Sequence, residues 1–188
     1  MNKNFITFFD TIESIEGKLS ENLEYLDKLF YQKKNNYLLY IKHLSLIKNS
    51  LYKIEKNLSD PTYCYIFNIL LGSFIEIILQ VFLIVFNQDF QVSKIKYNKL
   101  KDKNDAQDLK LVELINFFIN EDILSKNDKN ILTDIRKTRN FVHIISSNEL
   151  DLNNLNVKNI ENKIKELKTI LEKIENRLPT PENEYDYY

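Results

Sequence analysis

Ser59-Asp60-Pro61-Thr62-Tyr63-Cys64-Tyr65-Ile66-Phe67-Asn68-Ile69-Leu70-Leu71-Gly72-Ser73-Phe74-Ile75-Glu76-Ile77-Ile78-Leu79-Gln80-Val81-Phe82-Leu83-Ile84-Val85-Phe86 is the stretch that decides the fold. It opens with a capping residue and a proline just inside a first turn, which is how helices begin. From residue 63 to 86 the side chains are nearly all apolar, a run long enough to cross a bilayer. Asn68, Gly72, Glu76 and Gln80 interrupt it at intervals of four. On a helix that spacing draws one polar stripe. A carboxylate in the middle of such a run is costly in lipid. A central buried helix of a soluble bundle explains both features, with its stripe turned to a polar site or to a partner subunit. A transmembrane helix is the alternative.

The composition points the same way. In 188 residues there are two glycines and three prolines, so turn punctuation is scarce and sheets are disfavoured. The length suits one domain, or one domain with a helical extension, with a sizeable core. A net charge of -1 excludes a general nucleic-acid coat protein but leaves room for a cleft built from local arginines. Cys64 is the single cysteine, so neither a disulfide framework nor a cysteine metal site is expected. No secretory pattern opens the chain, and the expected location is cytoplasmic.

Outward from the central run, apolar residues recur every three or four positions. Ile12, Ile15, Leu19, Leu23, Leu26 and Phe30 predict a first amphipathic helix, and Leu38, Ile41, Leu44, Ile47, Leu51, Ile54 and Leu58 a second. The break is expected at 32–36, giving an antiparallel hairpin. His43 beside that seam reads as a helix-flank residue. Residues 89–108, with Lys94, Lys96, Lys99, Lys101 and Lys103, read as a loop with a short strand or turn at Phe90-Gln91-Val92. Helix returns over 109–120. A cap is expected within 151–154 before Val157, Ile160, Ile164, Leu167, Leu171, Ile174 and Leu178 form a heptad-like seam, closed within the chain or across a dimer. The division expected is an N-terminal helical hairpin or extension (1–58), a helical domain (59–178) and an acidic, tyrosine-rich tail (179–188) of the kind that is usually disordered.

The chemistry gathers in Thr133-Asp134-Ile135-Arg136-Lys137-Thr138-Arg139-Asn140-Phe141-Val142-His143-Ile144-Ile145. Asn127 and Asp128 stand as candidate caps of its helix. Arg136, Arg139, Asn140 and His143 fall at i, i+3, i+4 and i+7 and share an arc of about 100°. Ile131, Ile135, Thr138, Val142 and Ile145 occupy the opposite arc, fit for burial. Guanidiniums clamp phosphate and a histidine shuttles protons near neutral pH. Together they suit a phosphodiester; a plain solvated helix face is the competing account. No phosphate-cradling glycine loop, nucleophile elbow or paired-histidine metal motif is present in the sequence.

Arg136-x-x-Arg139-Asn140-x-Val142-His143, after the apolar segment at 111–118, resembles the signature of HEPN domains, small helical domains whose motif is an arginine, four to six residues, and a histidine. Six residues separate Arg136 from His143 and three separate Arg139 from it, which leaves open which arginine is the catalytic one. The resemblance covers residues 63–145 in pattern and four residues in motif. It implies an all-α, HEPN-like helical bundle and a metal-independent endoribonuclease without cofactor, a toxin or antiviral defence effector. It implies His143 as acid/base, Arg139 and Arg136 on the phosphate, Asn140 fixing geometry, and Glu76 orienting an arginine of the motif helix. Lys137, Lys99 and Lys101 are the candidate RNA-backbone contacts. RNA, a homodimeric second copy and an antitoxin or defence-system protein are the implied partners, with no membrane. A catalytically silent helical interaction module is the alternative.

Overall fold

The central run forms α3, Pro61–Val85. Its start is held as the residue types demand: the Asp60 carboxylate accepts the Thr62 amide at 2.8 Å, and Pro61 sits in the first turn. The computed structural model describes residues 2–29, 31–97, 99–103, 106–140 and 156–178, excepting the side chains of 22–36, 87, 88 and 107. Around α3 lie α1 (Lys3–Leu29), α2 (Tyr31–Glu55), α4 (Asn87–Ser93), α5 (Leu111–Asn120), α6 (Lys126–Asn140) and α7 (Val157–Glu175), with short 3-10 turns at Lys94–Lys96 and Ala106–Asp108. Among the described residues there is no strand, and the protein is all-α.

α3 is long and apolar enough to cross a membrane, yet 61 % of its most apolar stretch is buried inside the fold. That is the burial pattern of a core helix. Phe67 and Phe74 meet Phe5 and Phe8 of α1, with ring centroids 5.9 and 6.2 Å apart. Fully burying each such ring is worth about 1.5–3 kcal/mol. α1 and α2 run antiparallel: the Tyr37 hydroxyl donates to the Leu19 carbonyl at 2.7 Å, and Lys48 pairs with Glu16. The hairpin packs onto the body, and its core residues join one continuous cluster with those of α3, α5, α6 and α7. α2 begins at Tyr31, so the polar run 32–36 lies inside it and not at the break the sequence suggests. Lys, Gln and Asn are tolerated in a helix, and no glycine or proline is there to end it.

α7 runs parallel to α1, with Asn2 donating to Glu161 at 2.7 Å and Ser14 to Glu175 at 2.5 Å. Its Asn156 cap accepts the Asn159 amide at 3.0 Å; the cap expected in 151–154 lies outside the described residues. Ile160, Ile164, Leu167, Leu171 and Ile174 are all buried, so the heptad seam closes within the chain and does not wait for a second copy. Residues 87–96 are helical, against the expected loop and strand. Phe90 there is buried against Phe117, rings 5.4 Å apart, and one turn of helix achieves this while leaving Val92 outside. The tail expected at 179–188 lies outside the described residues.

Candidate functional site

α6 begins with a reciprocal cap. The Asp128 amide donates to the Ser125 hydroxyl at 3.2 Å, and the Ser125 amide donates back to the Asp128 carboxylate at 2.7 Å. The cap is thus Ser125, two residues before the expected Asn127, and Asp128 is its answering acid. Lys173 of α7 closes on the same carboxylate at 2.7 and 2.9 Å. Burial opposes ionisation of Asp128, but hydrogen bonds from Lys173 and from the Ser125 amide and hydroxyl outweigh it and hold the carboxyl below the usual range.

At its other end α6 crosses α3. Leu132, Ile135 and Thr138 are buried there. Arg139 was expected on the polar arc with Arg136; its side chain turns instead toward α3, in line with Leu132. The reason lies in α3. A β-carbon built on Gly72 would stand 2.7 Å from Cβ of Arg139, 3.0 Å from its Cδ and 3.2 Å from its Cγ, so only glycine leaves room for this stem. One α3 turn beyond, Glu76 Oε2 pairs with Arg139 Nη2 at 2.7 Å. The other Glu76 oxygen accepts the Leu111 amide at 3.1 Å. Lys110, before α5, carries no side-chain acceptor, so an acid from another helix satisfies one of the orphan amides of that helix start. Glu76 therefore joins the α6 arginine to the start of α5.

The rest of the polar stripe is used inside the fold. Asn68 donates to the Cys64 carbonyl at 2.8 Å and accepts from Lys163 at 3.3 Å. Lys163, from α7, also pairs with Asp134 at 2.9 Å and donates to Thr138 at 3.3 Å. Gln80 donates to the Leu109 carbonyl at 3.3 Å. The stripe thus meets α5, α6 and α7 and the turn before α5 within the chain. Lys163 and the Leu111 amide were not legible as site groups. Lys163 sits beside the α7 seam like any solvated lysine, and a backbone amide carries no residue signature.

Arg136 is half-buried, Lys137 and Asn140 are exposed, and neither Arg136 nor Lys137 has a side-chain partner among the described residues. Of the lysines between α4 and α5, Lys94 donates to the Lys103 carbonyl at 2.5 Å, Lys96 stands 3.9 Å from Glu121, and Lys103 donates to the Asp108 carbonyl at 2.9 Å. Lys99 and Lys101 are exposed and have no side-chain partner among the described residues. His143, with Phe141, Val142 and Ile145, lies outside the described residues. Among the described residues no three His, Cys, Asp or Glu side chains gather as a metal site would need.

Among the described residues, cavities lie elsewhere as well. One of about 340 Å³ opens near the end of α3 between Phe82, Phe86, Phe90, Phe117 and Glu121. Both Glu121 oxygens are engaged, by the Tyr97 hydroxyl and by Ser93 at 2.8 Å. Burial works against the charge on Glu121, yet these two hydroxyls and Lys96 hold its pKa down, while the same carboxylate pushes Tyr97 up to about 12. A carboxylate so held is a poor proton acceptor. A further cavity, about 350 Å³, lies between α1 and α2.

No family model matches this chain, and no curated protein or solved structure shows significant similarity to it.

Proposed function

We propose that the chain is a metal-independent endoribonuclease with a HEPN-like arrangement, a cytoplasmic toxin or antiviral defence effector. His143 moves the proton of the ribose 2′-hydroxyl as that oxygen attacks phosphorus and the 5′-oxygen departs as a hydroxyl. Arg139 neutralises the crowded phosphate in the transition state. Arg136 binds the flanking backbone, Asn140 fixes the geometry, and Lys137, Lys99 and Lys101 hold neighbouring phosphates. The observation that carries this proposal is the seat of Arg139: a cation placed in a helix crossing, over a glycine, and aimed by a carboxylate that a neighbouring amide also holds. Burial alone would be served better by an apolar residue. About 30 % of the Arg139 side chain stays exposed, enough to meet a ligand.

A homodimer with opposed motif faces would complete the cleft, and an antitoxin or other defence protein could cover the same face. The outer face of α6, where Lys137 and Asn140 are exposed, is the surface assigned to that.

One observation favours a second reading, a silent helical interaction module. The charge of Arg139 is already matched by Glu76, so the pair can serve the fold without a substrate. The experiment that separates them is RNA cleavage by purified protein in EDTA. Wild type should leave a 2′,3′-cyclic phosphate and spare DNA of the same sequence. His143→Ala should lower the rate by about 10²–10⁴-fold, the usual contribution of a positioned acid/base. Undiminished cleavage by His143→Ala would sink the nuclease and leave the module.

A further inference from the structure

We infer that Gly72 is a positioning residue for Arg139, and through it for the phosphate chemistry proposed above, on which its effect on turnover rests. The chain has two glycines. Nothing lies within 4 Å of a β-carbon built on Gly17, whereas on Gly72 that atom would meet Arg139 at 2.7 Å. Glycine is a poor residue for the interior of a long helix, and here its missing methyl group is the space that the arginine stem fills. The contact runs along the stem, Cβ, Cγ and Cδ, so it sets the direction of the side chain as well as the helix spacing. Glu76, at i+4 on α3, takes the guanidinium at the end of that path. The Leu111 amide holds the other oxygen of Glu76, so the carboxylate is itself constrained. Gly72 sets the path, Glu76 the end point, and the start of α5 steadies Glu76. An alanine at 72 forces α3 and α6 apart or swings the stem away, and either moves the guanidinium relative to the outer face of α6.

The test is a double-substitution cycle on turnover, with each rate corrected for folded protein. Gly72→Ala should lower kcat by about 10–100-fold, the cost of a misplacement near 1 Å, while KM for RNA changes much less. In an Arg139→Ala background the same glycine substitution should change kcat by less than about twofold, because its effect passes through the absent guanidinium. Equal losses in both backgrounds would make Gly72 a mere spacer and overturn the inference. A second readout needs no RNA: the Arg139 Nε–Hε resonance should shift in Gly72→Ala, as it should in Glu76→Gln. An unmoved resonance overturns the positioning role even in a protein that cuts RNA. A resonance that moves in Gly72→Ala, when the wild-type protein cuts no RNA, refutes the nuclease and leaves the seat of Arg139 standing. If Gly72→Ala does not fold, adding Arg139→Gly transfers the β-carbon from one helix to the other and should restore folding. Failure of that swap shows that Gly72 serves some other contact, and overturns the proposal.

Discussion

α6 is tied to its neighbours by an ion pair near each end, and both close to 2.7 Å. At the first end the Asp128 side chain is 5 % exposed, caps its own helix with Ser125 and takes the ammonium of Lys173, whose side chain is 40 % exposed. At the second end the Glu76 and Arg139 side chains are 19 and 30 % exposed, with a glycine beneath the arginine. Distance alone would rank the pairs equal. The carboxylates separate them: the buried, multiply bonded Asp128 is expensive to strand, whereas Glu76 is partly open to solvent, keeps the Leu111 amide and costs less to leave unpaired. The first end belongs to stability. The second can be spared for chemistry.

Arg139→Ala is the sharpest way to test that contrast. Its loss should lower RNA cleavage by about 100-fold, in line with removal of one transition-state donor, yet cost at most about 1 kcal/mol in urea unfolding. If instead it destabilises the fold and leaves normalised cleavage intact, the two ends are alike and the site disappears.

Asp128→Ala should do the reverse. Losing the cap and the charged hydrogen bonds should cost about 2 kcal/mol of stability, with turnover per folded molecule unchanged. A loss below roughly 0.5 kcal/mol, the range of ordinary surface substitutions, would show that the buried end holds nothing.

The same carboxylate gives a pH signature with a definite sign. The folded pKa of Asp128 lies below its ordinary value. Its stabilisation is therefore complete above the unfolded value, about 4, and is lost as pH falls through the folded value. The urea midpoint should drop below about pH 4, and Asp128→Asn should flatten part of that slope. An identical profile in the variant would remove Asp128 from the acid response.

The smallest expected effect is that of Arg136→Ala. It should weaken RNA binding several-fold and reduce the slope of log affinity against log salt by about 0.7, one single-strand phosphate contact, with stability unmoved. A larger loss in kcat than that of Arg139→Ala would exchange the roles of the two arginines.

The helices were legible because their signals are local. Ser59-Asp60-Pro61 announced α3, and the three-and-four rhythm of Ile160, Ile164, Leu167 and Leu171 announced α7. The motif arc was partly legible. Spacing on one ideal helix put Arg139 beside Arg136, but burial of Asp128 and Leu132 turns α6 so that Arg139 faces α3. Periodicity ranks faces by apolar residues, and a charged side chain that packs through its stem defeats it. The stretch 89–96 misled for a related reason: its polar composition suggested a loop, while one buried phenylalanine held it as helix.

By itself the sequence determined that this is a helical protein, where most of its helices lie, and that arginines, an asparagine and a histidine are strung at helical intervals, because caps and apolar periods act over a turn or two. Only the tertiary structure decided which partners the polar groups of α3 and α6 take. Gly72 under Arg139, Glu76 reaching both Arg139 and the start of α5, and Lys163 joining Asn68, Thr138 and Asp134 are contacts between segments 25 to 95 residues apart. No local preference encodes such pairings. They follow from how the apolar faces pack, which places each polar group where burial makes a partner necessary.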